Sequence, residues 1–239
     1  MTTNSPDKGR AARRLLSALA VGAWLATATV EATAESRHIA YIEASTVHLW
    51  KLEEFPARTR IQRYRFDVFP EYDFDKSKVV DRVLAGPIQR PDVVILQECS
   101  VYFPGDLPTY QRMYRGWVEH LRASGLRPVI ATIVPPARSH GWWQGAKDLV
   151  KQRLLARPSR YEQVVAFNDW LRTLGAELAV PVLDLEPIVR VSAENRHMRP
   201  EYDSGDGVHL NAVAYRHLDT ALLEFLDRLE WKRLPSAQR

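Results

Sequence analysis

An aspartate lies three residues before a histidine near the C-terminus, in the run Asp206-Gly207-Val208-His209-Leu210-Asn211. A histidine acts as a base near neutral pH when another group orients its ring and stabilises the charge that it acquires, and a nearby carboxylate does both. We therefore interpret His209 as a general base and Asp206 as its orienting acid. The alternative is structural, with an aspartate that caps the following helix beside an incidental histidine.

The elements that must position this pair alternate along the chain from residue 37 onward. Short segments rich in Val and Ile are separated by amphipathic segments, which predicts a parallel sheet covered by helices on both faces. The predicted strands are residues 38–42, 61–69, 92–97, 128–134 and 180–185. The predicted helices are residues 77–85, 110–124 and 158–174, the last stopped by Gly175, and a final helix that begins at Ala212.

Ser45 directly follows the first predicted strand, at a turn from strand to helix. Ligands of parallel α/β sheets bind at the carboxyl ends of the strands, where a hydroxyl at such a turn projects from the sheet edge. Ser45 is therefore the candidate nucleophile. The alternative is that Ser45 caps the segment after it.

These residues together resemble the SGNH, or GDSL-like, superfamily of hydrolases and acyltransferases. The run 206–211 followed by Ala214-Tyr215 is similar to the terminal Asp-x-x-His block, 91–97 to the third strand, and Ser45 stands at the place of the nucleophile. The resemblance implies a three-layer, flavodoxin-like α/β/α sandwich with a parallel sheet of about five strands. It also implies that Ser45 attacks an ester carbonyl, that His209 transfers the proton, and that Asp206 orients His209, without a cofactor or a metal.

The chain departs from this resemblance at the groups that would stabilise a negatively charged oxygen. Glu43-Ala44-Ser45 replaces Gly-Asp-Ser, no glycine corresponds to the second block near residues 67–71, and Cys99-Ser100-Val101-Tyr102 replaces Gly-x-Asn-Asp. Loss of one such donor typically lowers the rate about a hundred- to a thousandfold. We expect backbone N–H groups at Ser45 and Thr46 to supply part of this site, with Gln97 or Ser100 as side-chain substitutes.

Glu98, which follows the third predicted strand, allows two interpretations. A glutamate here is similar to the exported polysaccharide O-acetyltransferase branch of the superfamily, although the arginine expected shortly after it is absent. The alternative is a solvent-facing or salt-bridged carboxylate at a strand end. Cys99, the only cysteine, is interpreted as a small packing residue.

The loop after the fourth predicted strand carries further candidate binding residues. Prolines and glycines exclude a regular element over residues 135–145, so the loop is expected to lie over the same sheet edge. Trp142 and Trp143 are candidates for stacking on sugar rings, and Arg138 and His140 for contacts with hydroxyls or carboxylates. Packing of the loop by one tryptophan is an equally open alternative.

The N-terminal segment has the pattern of an export signal. Basic residues precede an apolar run over 15–28, and Ala32-Thr33-Ala34 provides a small-x-small cleavage site. We expect a signal peptide or N-terminal anchor over 1–34, an α/β domain over 35–232 and a tail over 233–239, with export to the periplasm or outside the cell. An uncleaved anchor would be the only membrane contact.

Composition narrows the function further. The chain has 239 residues and a net charge of +4, but its basic residues are scattered, so no nucleic-acid partner is expected. No phosphate loop, dinucleotide fingerprint or metal-ligand spacing occurs, and a glycosidase using Asp184 and Glu186 is disfavoured. The sequence predicts a metal-independent serine esterase or O-acyltransferase acting on a small ester or an acylated carbohydrate. The alternative is a noncatalytic carbohydrate-binding or polysaccharide-assembly protein with a degenerate SGNH fold.

Overall fold

A computed structural model describes residues 36–43, 45–86, 90–98, 106–138 and 158–231. In this part of the chain, five parallel strands form one sheet in the order β2-β1-β3-β4-β5. The strands are β1 Arg37–Glu43, β2 Tyr64–Pro70, β3 Val93–Leu96, β4 Pro128–Ala131 and β5 Val182–Leu183. The predicted parallel α/β sheet is confirmed.

Helices cover both faces of the sheet. They are α1 Ser45–Trp50, α2 Phe55–Thr59, α3 Ser77–Leu84, α4 Leu107–Ala123, α5 Arg160–Leu178, α6 Glu186–Val189 and α7 Ala212–Arg228. Single 3₁₀ turns lie at Leu52–Glu54 and Pro200–Tyr202. The predicted three-layer α/β/α sandwich is therefore confirmed.

The alternation of side chains along β1 explains why the sheet has two cores. Ile39 and Tyr41 pack with residues of α1, α2 and α7 on one face, whereas Ala40 and Ile42 pack with α3, α4 and α5 on the other. Successive side chains of a strand point to opposite faces, so an inner strand that is apolar from Ile39 to Ile42 contributes to both cores. This strand ends at Glu43, immediately before the segment that carries Ser45.

Gly175 does not end its helix, contrary to the prediction. The helix α5 continues to Leu178, and Ala179 follows it in the left-handed conformation with φ 50°. The glycine is instead a point of close contact, because a Cβ there would lie 2.2 Å from Val182 Cγ2 and 3.1 Å from the Val180 carbonyl oxygen. A side chain at this position would push β5 away from α5.

The helix α2 was not predicted, because its five residues are too few to show a helical period, whereas α1 begins at Ser45, where a turn from strand to helix was predicted. The predicted second and fifth strands are also too long, since β2 begins only at Tyr64 and β5 has two residues. Over the described ranges, the helices are too short or too polar to cross a membrane.

Substitution of Gly175 by alanine should lower the free energy of unfolding by about 1–3 kcal/mol, because the new methyl group overlaps Val182. Denaturant unfolding followed by circular dichroism would measure this loss. The double variant Gly175→Ala/Val182→Ala should recover part of it.

Gly116 provides the matched control for that substitution. It lies within α4, and a Cβ there would have no atom within 4 Å. Gly116→Ala should therefore raise stability by up to about 1 kcal/mol through helix propensity. Equal destabilisation by both alanines would contradict the close contact at Gly175.

Candidate active site

Asp206 and His209 form a hydrogen-bonded pair within one loop. Asp206 Oδ2 lies 2.5 Å from His209 Nδ1, while Asp206 Oδ1 accepts the backbone N–H groups of Val208 at 2.9 Å and His209 at 2.8 Å. Because Nδ1 faces the carboxylate, Nε2 is the ring nitrogen that remains to accept a proton. The pair thus has the geometry of an oriented base and its acid.

The same contacts keep Asp206 charged. Partial burial disfavours the charged form, but the hydrogen bonds from His209 and Val208 outweigh it and hold the pKa of Asp206 well below its ordinary value. A carboxylate that remains ionised stabilises the imidazolium that forms when Nε2 takes a proton.

The loop around the pair is held by its own hydrogen bonds. Asp203 Oδ1 accepts the N–H groups of Gly205 and Gly207, each at 2.9 Å, and Gly207 has a positive φ of 77°, which favours glycine. Asn211, not Asp206, caps the following helix, since its side chain accepts the N–H groups of Val213 and Ala214. The alternative role of Asp206 as a helix cap is therefore wrong.

Ser45 is the first residue of α1 and is half-buried. Its helix is fixed to α7, because Trp50 Nε1 donates to Asp219 Oδ1 at 2.7 Å and the Trp50 ring stacks on Tyr215 with centroids 6.3 Å apart. The helix α7 begins three residues after His209, at Ala212. These contacts bring the segments that carry Ser45 and His209 to the same edge of the sheet.

Tyr215 lies between the end of β1 and the Asp206 loop. Burial raises the pKa of its hydroxyl, and the charges of Glu43 and Asp206 raise it further, so both carboxylates lie near this ring. The mechanism proposed below requires Ser45 Oγ to lie within hydrogen-bond reach of His209 Nε2.

Gln97 does not serve as a ready donor to a substrate oxygen. It is buried, its Nε2 donates to the Thr132 carbonyl at 3.1 Å, and its Oε1 accepts the Tyr41 hydroxyl at 2.9 Å. Thr46, by contrast, is half-buried in the first turn of α1, where backbone N–H groups lack partners within the helix. The backbone at this turn is the better candidate for holding an oxyanion.

Glu98 is a buried partner of Lys76 and is not a solvent-facing group. Their charged atoms lie 3.5 Å apart with both side chains almost fully buried, and Lys76 Nζ also donates to the carbonyls of Glu71 and Asp73. The salt-bridged interpretation of Glu98 fits these contacts. The carboxylate faces a lysine inside the protein, and the role of Glu98 in substrate binding stays a prediction.

Arg138 is exposed and follows Ala137, whose N–H donates to the Gly207 carbonyl at 2.9 Å. The loop after β4 therefore touches the loop that carries Asp206 and His209. The other candidates on nearby loops, Ser100, His140, Trp142 and Trp143, lie outside the described residues, as does Cys99. Their predicted roles remain predictions.

No protein-family model matches the sequence, and no curated protein matches it either. A GDSL-like lipase from Bacteroides thetaiotaomicron matches with a TM-score of 0.59 and 15% identity, over 81% of this chain and 89% of the lipase. An acetylxylan esterase from Geobacillus stearothermophilus matches with a TM-score of 0.56 and 13% identity, over 84% of this chain and 98% of the esterase. The chain has the SGNH-hydrolase fold.

Glu186 is the centre of a charge network in this SGNH fold that sequence reasoning did not find. It is fully buried at the start of α6, where it accepts hydrogen bonds from Asn168, Arg172, Arg190 and Arg196. Burial acts to raise its pKa, but the hydrogen bonds from Arg196, Arg172 and Asn168 outweigh burial and lower the pKa to about 2.

Asp184 belongs to the same network, since Arg172 Nε and Thr132 Oγ1 each donate to it at 2.9 Å. Asp184 and Glu186 both accept hydrogen bonds from Arg172 Nη2, each at 2.9 Å. The described residues also contain no group of His, Cys, Asp and Glu side chains suited to hold a metal ion.

Replacement of Glu186 by glutamine should destabilise the protein by about 3 kcal/mol at pH 7, because it leaves buried arginines without their anion. The folded-state pKa of Glu186 lies below its ordinary value of 4.5, so its stabilisation is present above about pH 4.5 and is lost as the pH falls towards 2. Thermal melts of both proteins between pH 2.5 and 7 should therefore converge at the acidic end.

The control is Asp169→Asn, which removes an exposed partner of Arg172 and Arg196. It should cost less than about 1 kcal/mol, as exposed ion pairs do. A Glu186→Gln difference that stays constant across the pH range would contradict the assigned charge of Glu186.

Proposed function

We propose that this protein is an exported serine esterase or O-acyltransferase that acts on acyl esters through Ser45, His209 and Asp206. The observation that carries the proposal is the Asp206–His209 pair, with Nδ1 fixed on the carboxylate 2.5 Å away and Nε2 left to act as base. Ser45 supports it, because it begins the helix that follows β1 at the carboxyl edge of the sheet.

In the proposed reaction, Ser45 Oγ bonds to the carbonyl carbon of the ester while its proton passes to His209 Nε2. The tetrahedral intermediate collapses when the bond from carbon to the alcohol oxygen breaks, and Nε2 returns the proton to that oxygen. Water then cleaves the acyl-serine in an esterase, whereas an acceptor hydroxyl takes the acyl group in a transferase. Asp206 remains ionised throughout and stabilises the imidazolium.

The backbone N–H groups at Ser45 and Thr46 are the proposed donors to the negatively charged oxygen of the intermediate. Gln97 is occupied by Tyr41 and Thr132, which leaves the first turn of α1 as the described source of donors. A site with fewer donors stabilises the intermediate less, so we expect slower turnover than a complete oxyanion hole would give.

The proposed substrates are acylated carbohydrates, including those of the cell envelope. Two observations support this class: the N-terminal export pattern in residues 1–34, and the acetylxylan esterase among the proteins with the same fold. Likeness of fold does not fix a substrate by itself, so the carbohydrate has to be tested as an acetyl acceptor.

Purified wild-type protein should hydrolyse an aryl acetate. Ser45→Ala removes the group that bonds to carbon and His209→Ala removes the group that transfers the proton, so each should lower kcat by at least about a thousandfold. Asp206→Asn should lower kcat about a hundredfold or more by favouring the wrong tautomer. The control is His120→Ala, which should leave the activity unchanged. His120 is an exposed histidine on α4 that is paired with Asp81 on α3.

Circular dichroism must show that each variant is folded. Equal residual hydrolysis in wild type, Ser45→Ala and His209→Ala would refute the triad and favour the noncatalytic carbohydrate-binding protein. Acetyl transfer to added oligosaccharide, compared with acetate release to water, separates transferase from esterase.

Export predicts a mature N-terminus near Glu35. Mass spectrometry of the protein recovered from the periplasm or medium of expressing cells should find this terminus. Recovery of the full-length chain from the membrane fraction would indicate an uncleaved anchor, and full-length chain in the cytoplasm would contradict export.

A further inference from the structure

Three of the five exposed large apolar side chains in the described part of the chain lie on the two segments next to Ser45. Leu49 is 45% exposed and belongs to α1, where residues four apart share a helix face, so it lies on the face of Ser45. Tyr72 and Phe74, which are 46% and 38% exposed, belong to the loop 71–76 that follows β2. We call these three side chains the apolar rim. Exposed apolar side chains grouped beside a site commonly mark a surface that contacts a ligand.

The loop 71–76 is attached to the end of β1. The N–H of Glu71 donates to the Glu43 carbonyl at 2.9 Å, which continues the pairing of β2 with β1 to two residues before Ser45. The two aromatic side chains of the rim thus follow, by one and three residues, a backbone that is fixed beside the segment of the proposed nucleophile.

A buried ammonium group fixes the shape of this loop. Lys76 is 1% exposed, and its Nζ donates to the carbonyls of Glu71 at 2.8 Å and Asp73 at 2.5 Å. Phe74 also packs edge-on against Tyr110 of α4, with centroids 6.4 Å apart. Because the backbone is held from inside, the aromatic side chains of the rim lose little conformational entropy when a ligand binds.

The sheet order indicates which half of an ester the apolar rim would contact. The loop of Asp206 and His209 touches the segment after β4, since the Ala137 N–H donates to the Gly207 carbonyl at 2.9 Å. The strands β2 and β4 lie on opposite sides of β1. The alcohol oxygen must reach His209 Nε2 to receive its proton, so the alcohol part lies towards β4 and the acyl part towards β2.

The charges of the loop 71–76 restrict the acyl groups that fit it. Glu71, Asp73 and Asp75 alternate with the two aromatic residues of the rim, and the basic residue of the loop, Lys76, is buried against Glu98. These carboxylates would repel an anionic acyl group. An uncharged apolar acyl group would instead remove apolar surface from water when it contacts the rim.

We propose that the apolar rim binds the acyl part of the substrate and that the protein prefers uncharged acyl groups of butyryl size or larger over acetyl. The proposal rests on the proposed esterase or transferase function and names the acyl class for it, with the carbohydrate as the alcohol or acceptor part. Methylene groups that the rim covers in the transition state leave water, so they raise kcat/KM.

The test uses 4-nitrophenyl acetate and 4-nitrophenyl butyrate, which share one leaving group and differ by two methylene groups in the acyl part. Each kcat/KM is divided by the rate constant for hydroxide-catalysed hydrolysis of the same ester, which removes differences in intrinsic reactivity. The wild type should then prefer the butyrate about three- to tenfold. Tyr72→Ala/Phe74→Ala should bring this ratio to about one, and Leu49→Ala should lower it at least about twofold, while kcat/KM for the acetate changes less than about twofold.

Val191→Ala is the matched control, because Val191 is an exposed apolar residue in the segment after α6, on the β5 side of the sheet. It should leave the preference unchanged, which separates the rim from a general loss of apolar surface. Phe74→Leu keeps an apolar side chain but loses the ring contact with Tyr110. It should retain most of the preference, because the rim acts by covering the acyl group and not by shaping the loop.

Charge exclusion is tested with the hexanoate and the mono-adipate ester of 4-nitrophenol, whose acyl parts have the same length. The adipate ends in a carboxylate, so wild-type kcat/KM should be at least about tenfold lower for it at low salt, and added salt should narrow the difference. Asp73→Asn removes one negative charge of the loop and should narrow the difference about two- to threefold.

Equal kcat/KM for acetate and butyrate in the wild type, a preference that survives in Tyr72→Ala/Phe74→Ala, or equal losses on both esters would overturn the proposal while leaving the triad intact. A loss confined to an acetylated oligosaccharide would also overturn it, because the rim would then bind the sugar. Absence of hydrolysis of every ester by the wild type would instead refute the proposed function, and the acyl preference with it.

Discussion

The buried carboxylate of Asp219 holds together the two parts of the chain on which the candidate site depends. It accepts Trp50 Nε1 at 2.7 Å from α1, and Arg58 Nε and Nη2 at 2.7 and 2.9 Å from α2. The helix α1 has six residues, too few to persist in water without tertiary contacts. The position of Ser45 relative to α7, and so to His209, therefore depends on a carboxylate two turns further along α7 that takes no part in the chemistry.

Buried charges perform the same task at two other places on the carboxyl edge of the sheet. The Lys76–Glu98 pair joins the end of β3 to the turn before α3, and Glu186 gathers three arginines and Asn168 around the end of β5. Taking charges out of water costs free energy, and apolar replacements of similar volume are often at least as stable. Ion pairs of this kind accept only a narrow range of geometries. We therefore infer that they hold the loops at the carboxyl edge of the sheet in place.

The parts of the structure that could be predicted from the sequence are those fixed by local pattern. The apolar run Val93–Leu96 indicated a strand covered on both faces, and the spacing of Asp206 and His209 was sufficient because both belong to one loop. The buried contacts of Gln97 and Glu98 could not be predicted in the same way. Their partners Tyr41 and Lys76 lie far along the chain, and only the sheet order brings them into contact. Gly175 was misjudged for a different reason, since its close neighbour Val182 is near in sequence but the turn back into the next strand is what brings the two together.

The acid and the base of the candidate site share a single hydrogen-bonded turn, whereas the nucleophile belongs to a separate helix. The alignment of Asp206 with His209 is set by hydrogen bonds within the turn, whereas the position of Ser45 is set by the contacts of α1. Assembly of the site therefore depends on how that turn is placed against the start of α1. A substitution that shifts the start of α1 would then alter turnover while leaving the proton-transfer couple intact.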